Sequence, residues 1–222
     1  MYALERTLSQ GFRVINIGYP SRKYPIEQLA EYIGRRINER CTDGNKKIHF
    51  VTHSLGGIVL RCYLKGNPLP NLGRVVMLSP PNQGSELVNI FRGNVLFKIA
   101  AGPAGAQLGT EPTSVPNVLG PVDFEVGIIT GNGSLNPIFS HLIPGAGDGR
   151  VSVKRSKVDG MADFMTVPQH HSFIMNSSEV IKQVVYFLEN AKFASIAKRS
   201  SYHRDTVGLF QSADTEKNGD TR

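Results

Sequence analysis

Apolar residues recur along the chain in two periods, and the alternation of those periods outlines a fold before any chemistry is considered. Residues 2–10 read as an amphipathic helix with Leu4 and Leu8 on one face, closed by Gly11 just past its end. Phe12-Arg13-Val14-Ile15-Asn16-Ile17 then reads as a strand, ended by Gly18-Tyr19-Pro20. Pro25 opens a helix to about residue 40, with Ile26, Leu29, Ile33 and Ile37 at helical spacing. Lys46-Lys47-Ile48-His49-Phe50-Val51 is a short buried strand, Ile58-Val59-Leu60-Arg61-Cys62-Tyr63-Leu64 a helix, and residues 74–78 the next strand. Between about 82 and 119 the rhythm changes. Glu86-Leu87-Val88-Asn89-Ile90-Phe91 and Val95-Leu96-Phe97-Lys98-Ile99-Ala100 are helical, and Gly102-Pro103-Ala104-Gly105-Ala106 breaks the second. Phe124-Glu125-Val126-Gly127-Ile128-Ile129-Thr130 and Phe164-Met165-Thr166-Val167 are further strands, and residues 178–191 a closing helix. Strands alternating with helices predict βαβ units: an α/β fold with a mainly parallel sheet and helices on both faces. Beyond about residue 200 the chain turns polar, which predicts a disordered tail at 200–222 and one domain over 1–199.

Composition agrees with that picture and narrows the partners. A chain of 222 residues, 40% hydrophobic and 19% charged, suits a single globular domain. Its formal net charge is +7, but the Lys and Arg residues are scattered, as in Arg35-Arg36, Lys46-Lys47 and Lys154-Arg155. This reads as a basic solvated surface open to peripheral contact with anionic membranes. No basic stripe or recognition module appears, so no nucleic-acid partner is expected. Cys41 and Cys62 make neither a disulfide framework nor metal-ligand spacing, and Cys62 reads as a small buried hydrophobe. Without HExxH, CxxC or an acidic ligand cluster, neither metal nor other cofactor is expected. No signal peptide is visible at the N-terminus, and no apolar run is long enough to span a bilayer.

Chemistry enters at Thr52-His53-Ser54-Leu55-Gly56-Gly57, the junction of a strand and a helix. A serine on such a sharp turn is pushed out with its hydroxyl exposed, while the helix start behind it offers free N–H groups for an oxyanion, Leu55 N–H among them. The turn needs small residues two before and two after the serine; Gly56 meets that demand and Thr52 only partly. The competing reading is a helix N-cap without chemistry. Six histidines could serve as the base: His49 lies in the strand, His53 is held by the turn backbone, His141 sits in a loop, His203 in the tail, and His170 and His171 follow the last strand. For the acid, Asp148 in Gly147-Asp148-Gly149 follows the loop after the residue-124 strand, where sites of parallel sheets gather, at the strands' carboxyl ends. Asp123, Asp159 and Asp163 lie at the other ends of their strands, and an Asp-Gly turn is the plainer reading of Asp148. Gln83-Gly84-Ser85 borders the same rim and reads first as a helix N-cap.

Serine, then acid, then histidine is the α/β-hydrolase chain order. With Gly18-Tyr19-Pro20-Ser21-Arg22, the Ser54 turn, Leu78-Ser79-Pro80-Pro81-Asn82-Gln83-Gly84-Ser85, Gly120-Pro121-Val122-Asp123-Phe124-Glu125, Ser134-Leu135-Asn136-Pro137, Gly147-Asp148-Gly149-Arg150-Val151-Ser152-Val153 and His171-Ser172-Phe173-Ile174-Met175, the chain resembles the lipase-like and esterase-like branch of the bacterial α/β-hydrolases. The resemblance spans most of residues 11–188 and places the base directly before the Ser-Phe-Ile-Met stretch, at His171 rather than His170. It implies a Ser54, Asp148, His171 triad acting on a small-molecule or lipid-like ester, with Leu55 N–H at the oxyanion and the 82–119 segment as a cap or acyl wall. The chain departs from that family where a second oxyanion donor is usual: it has no His-Gly dipeptide. The helix at residues 2–10 matches the one that follows that loop, so an apolar strand and a His-Gly loop are expected upstream of Met1. By the resemblance that strand would lie between the Phe12 and Ile48 strands, and without it the Phe12 strand either pairs with the Ile48 strand or leaves a ladder unpaired. A non-catalytic binding protein on the same fold is the rival expectation.

Overall fold

The computed structural model describes residues 1–133 and 142–195; the expectations on residues 134–137, His141, His203 and the tail at 200–222 lie outside them. Among the described residues, strands β1 (Ile48–His53), β2 (Leu72–Leu78), β3 (Val126–Gly131) and β4 (Asp163–Val167) form one parallel sheet whose spatial order follows the chain order. Helices α1 (Tyr2–Leu8), α2 (Ile26–Arg40), α3 (Leu55–Gly66), α4 (Glu86–Phe91), α5 (Val95–Ala106), α6 (Val115–Val118), α7 (Val153–Ser156) and α8 (Ser178–Asn190), with a 3₁₀ turn at Ile174–Asn176, surround it. No helix among the described residues is long and apolar enough to cross a membrane.

Strand periodicity divides the core in two. On β2, Val75 and Met77 pack with Leu29, Ile33, Ile58 and Leu60 of α2 and α3. The alternate residues Val76 and Leu78 pack on the other face with Leu4 and Leu8 of α1 and Val180, Val184 and Phe187 of α8. Burial on both faces explains why this strand is an unbroken apolar run. The ring of Phe187 lies on β3 at Gly127, where a Cβ would come within 2.5 Å of it, so the strand needs glycine at that point.

Three local expectations are corrected. The first helix ends at Leu8 with Ser9 in helical geometry, and Gly11 is not the left-handed cap residue. Cys62 is half-buried rather than buried. The largest correction concerns residues 12–17, which form no strand. Phe12 and Val14 pack toward the α1/α8 core and Ile17 toward the α2/α3 core, yet no backbone hydrogen bond joins them to β1 among the described residues. A strand exists through its ladder, so an extended apolar run without a paired neighbour is not one. β1 is thus an edge strand, half-buried throughout. Ile48 N–H and Ser54 N–H face β2, so the backbone groups of His49, Val51 and His53 point the other way.

One cation departs from the solvated surface expected of the basic residues. Arg61 on α3 is 4% exposed and donates to Asn82 O (3.0 Å), Asn82 Oδ1 (3.1 Å), Pro116 O (3.3 Å) and Gly120 O. Asn82 Nδ2 donates in turn to Ser156 O at 2.9 Å. Burial pushes the guanidinium down to about 10, which leaves it charged at neutral pH. The cluster ties the helix behind Ser54 to the loops after β2 and before β3. Arg61→Met keeps much of the volume and strands these carbonyls, and should cost about 2–3 kcal/mol; urea unfolding should show the loss as a lowered midpoint at unchanged slope.

Candidate active site

β1 ends at His53 and α3 begins at Leu55, so the whole turn falls on Ser54, with φ 53° and ψ −125°. A non-glycine residue in that region carries about 1–3 kcal/mol of strain and persists only where its surroundings fix it. Here Ser54 N–H donates to Leu78 O (2.9 Å) and Ser54 O accepts from Gly57 N–H (3.0 Å). The two glycines allow α3 to approach this closely. A Cβ on Gly57 would lie 3.2 Å from Met77 Sδ and Pro80 Cβ, and one on Gly56 3.3 Å from the Tyr19 hydroxyl. Thr52, the imperfect small residue, is accommodated with a buried hydroxyl that has no hydrogen-bond partner among the described residues. Tyr19, largely desolvated beside the turn, has its phenol pushed up to about 12 and stays neutral.

Asp148, His171 and Ser54 come together. Ser54 Oγ lies 2.9 Å from His171 Nε2, and His171 Nδ1 lies 2.8 Å from Asp148 Oδ2. In the neutral tautomer that fits both contacts, Ser54 O–H donates to Nε2 and Nδ1–H donates to the carboxylate. Asp148 is fully buried and His171 3% exposed, whereas Ser54 remains half-buried. The other carboxylate oxygen accepts from Arg150 N–H (3.0 Å) and Val151 N–H (2.9 Å). Backbone bonds Asp148 N–H to Val151 O (3.2 Å) and His171 N–H to Asp148 O (3.1 Å) lock the acid loop to the base loop. Burial raises the Asp148 carboxyl, but the hydrogen bond and charge of His171, the Ser79 hydroxyl and Val151 N–H outweigh it and hold the carboxyl below its ordinary value. Leu55 N–H, at the helix start, donates to no backbone acceptor among the described residues.

The remaining candidates are spent elsewhere. The His170 ring lies against Phe173 (6.0 Å between centroids) and its Nδ1 accepts from Ser172 N–H (3.4 Å), and His49 Nδ1 accepts from Arg74 N–H (2.9 Å). Asp163 binds Phe164 N–H and Phe193 N–H at the start of β4. Ser85 does not cap α4 with its side chain; its hydroxyl donates to Arg150 O at 2.7 Å, fastening α4 to the acid loop. Among the described residues, no cluster of three or more His, Cys, Asp or Glu could hold a metal ion.

Two residues of the site were not identified from the sequence. Ser79, fully buried with φ 47°, follows β2 as Ser54 follows β1; its N–H donates to Ile129 O (2.8 Å), its hydroxyl accepts from Gly131 N–H (3.4 Å), and that hydroxyl helps hold the Asp148 carboxyl down. A lone serine closing the buried run at residues 75–78 was the available signal. His53, assigned to the turn backbone, instead donates from Nε2 to the carbonyl of His171 (2.9 Å), the two rings lying 4.9 Å apart. Desolvation, reinforced by the neighbouring His171, brings His53 down to about 4.

No protein-family model matches the sequence, and no curated protein does. Solved structures do match. The mature lipase BlEst2 of Bacillus licheniformis superposes with a TM-score of 0.62 at 18% identity, over 77% of this chain and 76% of that one. The phospholipase PlaB of Legionella pneumophila superposes with a TM-score of 0.61 at 17% identity, over 94% of this chain and 58% of its own, and its complex with thio-NAD gives 0.64 at 16% identity. The chain therefore spans little more than half of the phospholipase. The parallel sheet and these likenesses establish the α/β-hydrolase fold seen in lipases and esterases.

The neutrality of His53 has a consequence for stability. The unfolded chain takes up a proton near pH 6.5 while the folded chain resists until about 4, so stability is full above pH 6.5 and falls between those values. The loss amounts to about 3 kcal/mol. Asp148, held below 3.8, adds its own loss only at lower pH. His53→Gln should flatten the stability profile between pH 6.5 and 4, read from urea midpoints across that range, and an unchanged slope would show that another group governs it.

Proposed function

We propose that the chain is a serine hydrolase of carboxylic esters, lipase-like or esterase-like. The observation that carries this reading is the continuous hydrogen-bonded path from buried Asp148 through His171 to the half-exposed Ser54 hydroxyl. Ser54 Oγ attacks the ester carbonyl carbon as its proton passes to His171 Nε2; Asp148 holds the ring by Nδ1–H and stabilises the imidazolium. The carbonyl oxygen, now an oxyanion, receives Leu55 N–H and the positive end of α3. Collapse of the tetrahedral species expels the alcohol, which takes the proton from Nε2 and leaves Ser54 acylated. Water then repeats the sequence, with His171 as base, to release the acid. The segment at 82–119 walls the acyl side, since α4 is fastened to the acid loop through Ser85 and Glu86. Ser79 acts on the reaction through Asp148, as a positioning residue.

A non-catalytic binding protein is the second reading. It is favoured by the single oxyanion donor assigned at the turn, because such a donor accounts for about two to three orders of magnitude in rate in a comparable hydrolase.

A fluorophosphonate probe separates the two. It should label the chain and fail on Ser54→Ala; absence of labelling on cooperatively folded protein would favour the binding reading. In p-nitrophenyl ester turnover, Ser54→Ala and His171→Ala should abolish activity, Asp148→Asn should lose roughly four orders of magnitude, and His170→Ala should keep most of it. Ser79→Ala, which removes a hydroxyl that helps hold the Asp148 carboxyl below its ordinary value, should lower kcat about tenfold, leave KM near its original value and move the acid limb of the pH profile upward. A change in KM alone would remove Ser79 from this role.

A further inference from the structure

Helix α5 carries its apolar side chains on the outside. Val95, Leu96 and Ile99 are 67%, 77% and 69% exposed, and Ile90 at the end of α4 is 47% exposed. Val95, Leu96 and Ile99 occupy neighbouring positions of one face of α5, whereas Phe97 turns inward to Phe91 (5.7 Å between centroids) and the core. The segment is tied down at both ends. At one end Glu86 binds Arg155 (2.7 Å) and Ser85 binds the Arg150 carbonyl. At the other, Gln107 Oε1 accepts from Ile26 N–H (2.7 Å), and Gly102, with φ 67°, lies so close to the Arg22 backbone that a Cβ would come within 2.6 Å of it. α2 leads down to the start of β1, so its first turn at Ile26 lies at the carboxyl rim of the sheet, on the same side as Ser54. The exposed face is therefore fixed over that rim.

Its surroundings are basic. Lys98 lies on the helix, and Arg22 and Lys23 stand exposed in the turn beside Gly102; none of the three has an ion pair with a described residue. Residues 18–26 and 87–110 contain no carboxylate, and the two that border these stretches are engaged, Glu27 by Gln107 Nε2 (2.9 Å) and Glu111 by Arg92 (2.6 Å). An exposed apolar face with three cations beside it that pair with no described carboxylate complements the interface of an anionic bilayer, which accepts the apolar side chains between headgroups and the cations at the phosphates. We propose that the outer face of α5, with Lys98, Arg22 and Lys23, docks the protein on an anionic lipid surface. This rests on the ester-hydrolase reading for its purpose and deepens it, since the rim that docks is the rim on which Ser54 opens.

The test uses the full chain carrying Ser54→Ala, so that binding is measured without turnover. It should sediment with phosphatidylcholine vesicles containing phosphatidylglycerol, much less with phosphatidylcholine alone, and be released by salt. Lys98→Gln should weaken partitioning about fivefold, and Leu96→Asp with Ile99→Asp should abolish it while the melting temperature holds. The chain has no tryptophan, so Leu96→Trp supplies a single indole whose emission should shift to the blue on the vesicles. Equal binding to both vesicle types, binding that survives the double substitution, or an unshifted indole would overturn the proposal. So would a dimer in sedimentation velocity that Leu96→Asp dissolves, which would give the face to a second copy. Fluorophosphonate labelling is read separately: vesicle binding without labelling overturns the hydrolase reading alone, and labelling without vesicle binding overturns this inference alone.

Discussion

Continuation of the parallel ladder past the strand ends is the constraint on which the site depends. Ser54 N–H reaches Leu78 O, Ser79 N–H reaches Ile129 O, and Asn132 N–H reaches Val167 O, at 2.9, 2.8 and 2.9 Å. Each residue leaving a strand is thus still held by the next strand in the sheet. That hold keeps two serines at positive φ, the first presenting its hydroxyl outward and the second turning its hydroxyl to the buried carboxylate. Strain of this kind is released wherever the chain is free to relax. At this rim it is not free, because the neighbouring strand is buried on both faces by α1, α2, α3 and α8.

The electrostatic plan follows from the same burial. A carboxylate with no exposure sits within a chain of net charge +7, yet its immediate support is two backbone N–H donors and an imidazole rather than a permanent cation. The buried cation, Arg61, is matched by carbonyl oxygens and an amide from distant segments. Both buried charges are solvated by dipoles fixed during folding, which is how a low-dielectric interior holds an ion without a paired counter-ion. His53 meets the same environment by staying neutral.

Much of this was legible in the sequence because it is local or ordered. Apolar runs marked β2 and β3, Pro25 marked the entry to α2, Gly102 marked the break in α5, and the order of Ser54, Asp148 and His171 anticipated three side chains that meet. What escaped was relational. Residues 12–17 have a strand's composition, but strand formation requires a partner that composition does not reveal. Arg61 looked like any surface cation because the carbonyls around it arrive from residues 82, 116 and 120. Ser79 lay within a recognised stretch, but its role depends on a carboxylate nearly 70 positions away.

The coincidence of spatial and chain order in the sheet bears on how the molecule is assembled. Among the described residues each strand adds to the one made just before it, none is inserted between two already paired, and contacts accumulate in the direction of synthesis. Ser54 and the turn that presents it are complete once β2 has docked, while His171 lies beyond the last strand. During translation more than 90 residues therefore follow the end of β2 before His171 is made. A nascent chain thus holds the Ser54 turn in place before its partner exists, and the hydrogen bond from Ser54 to His171 forms only when the residues beyond β4 arrive.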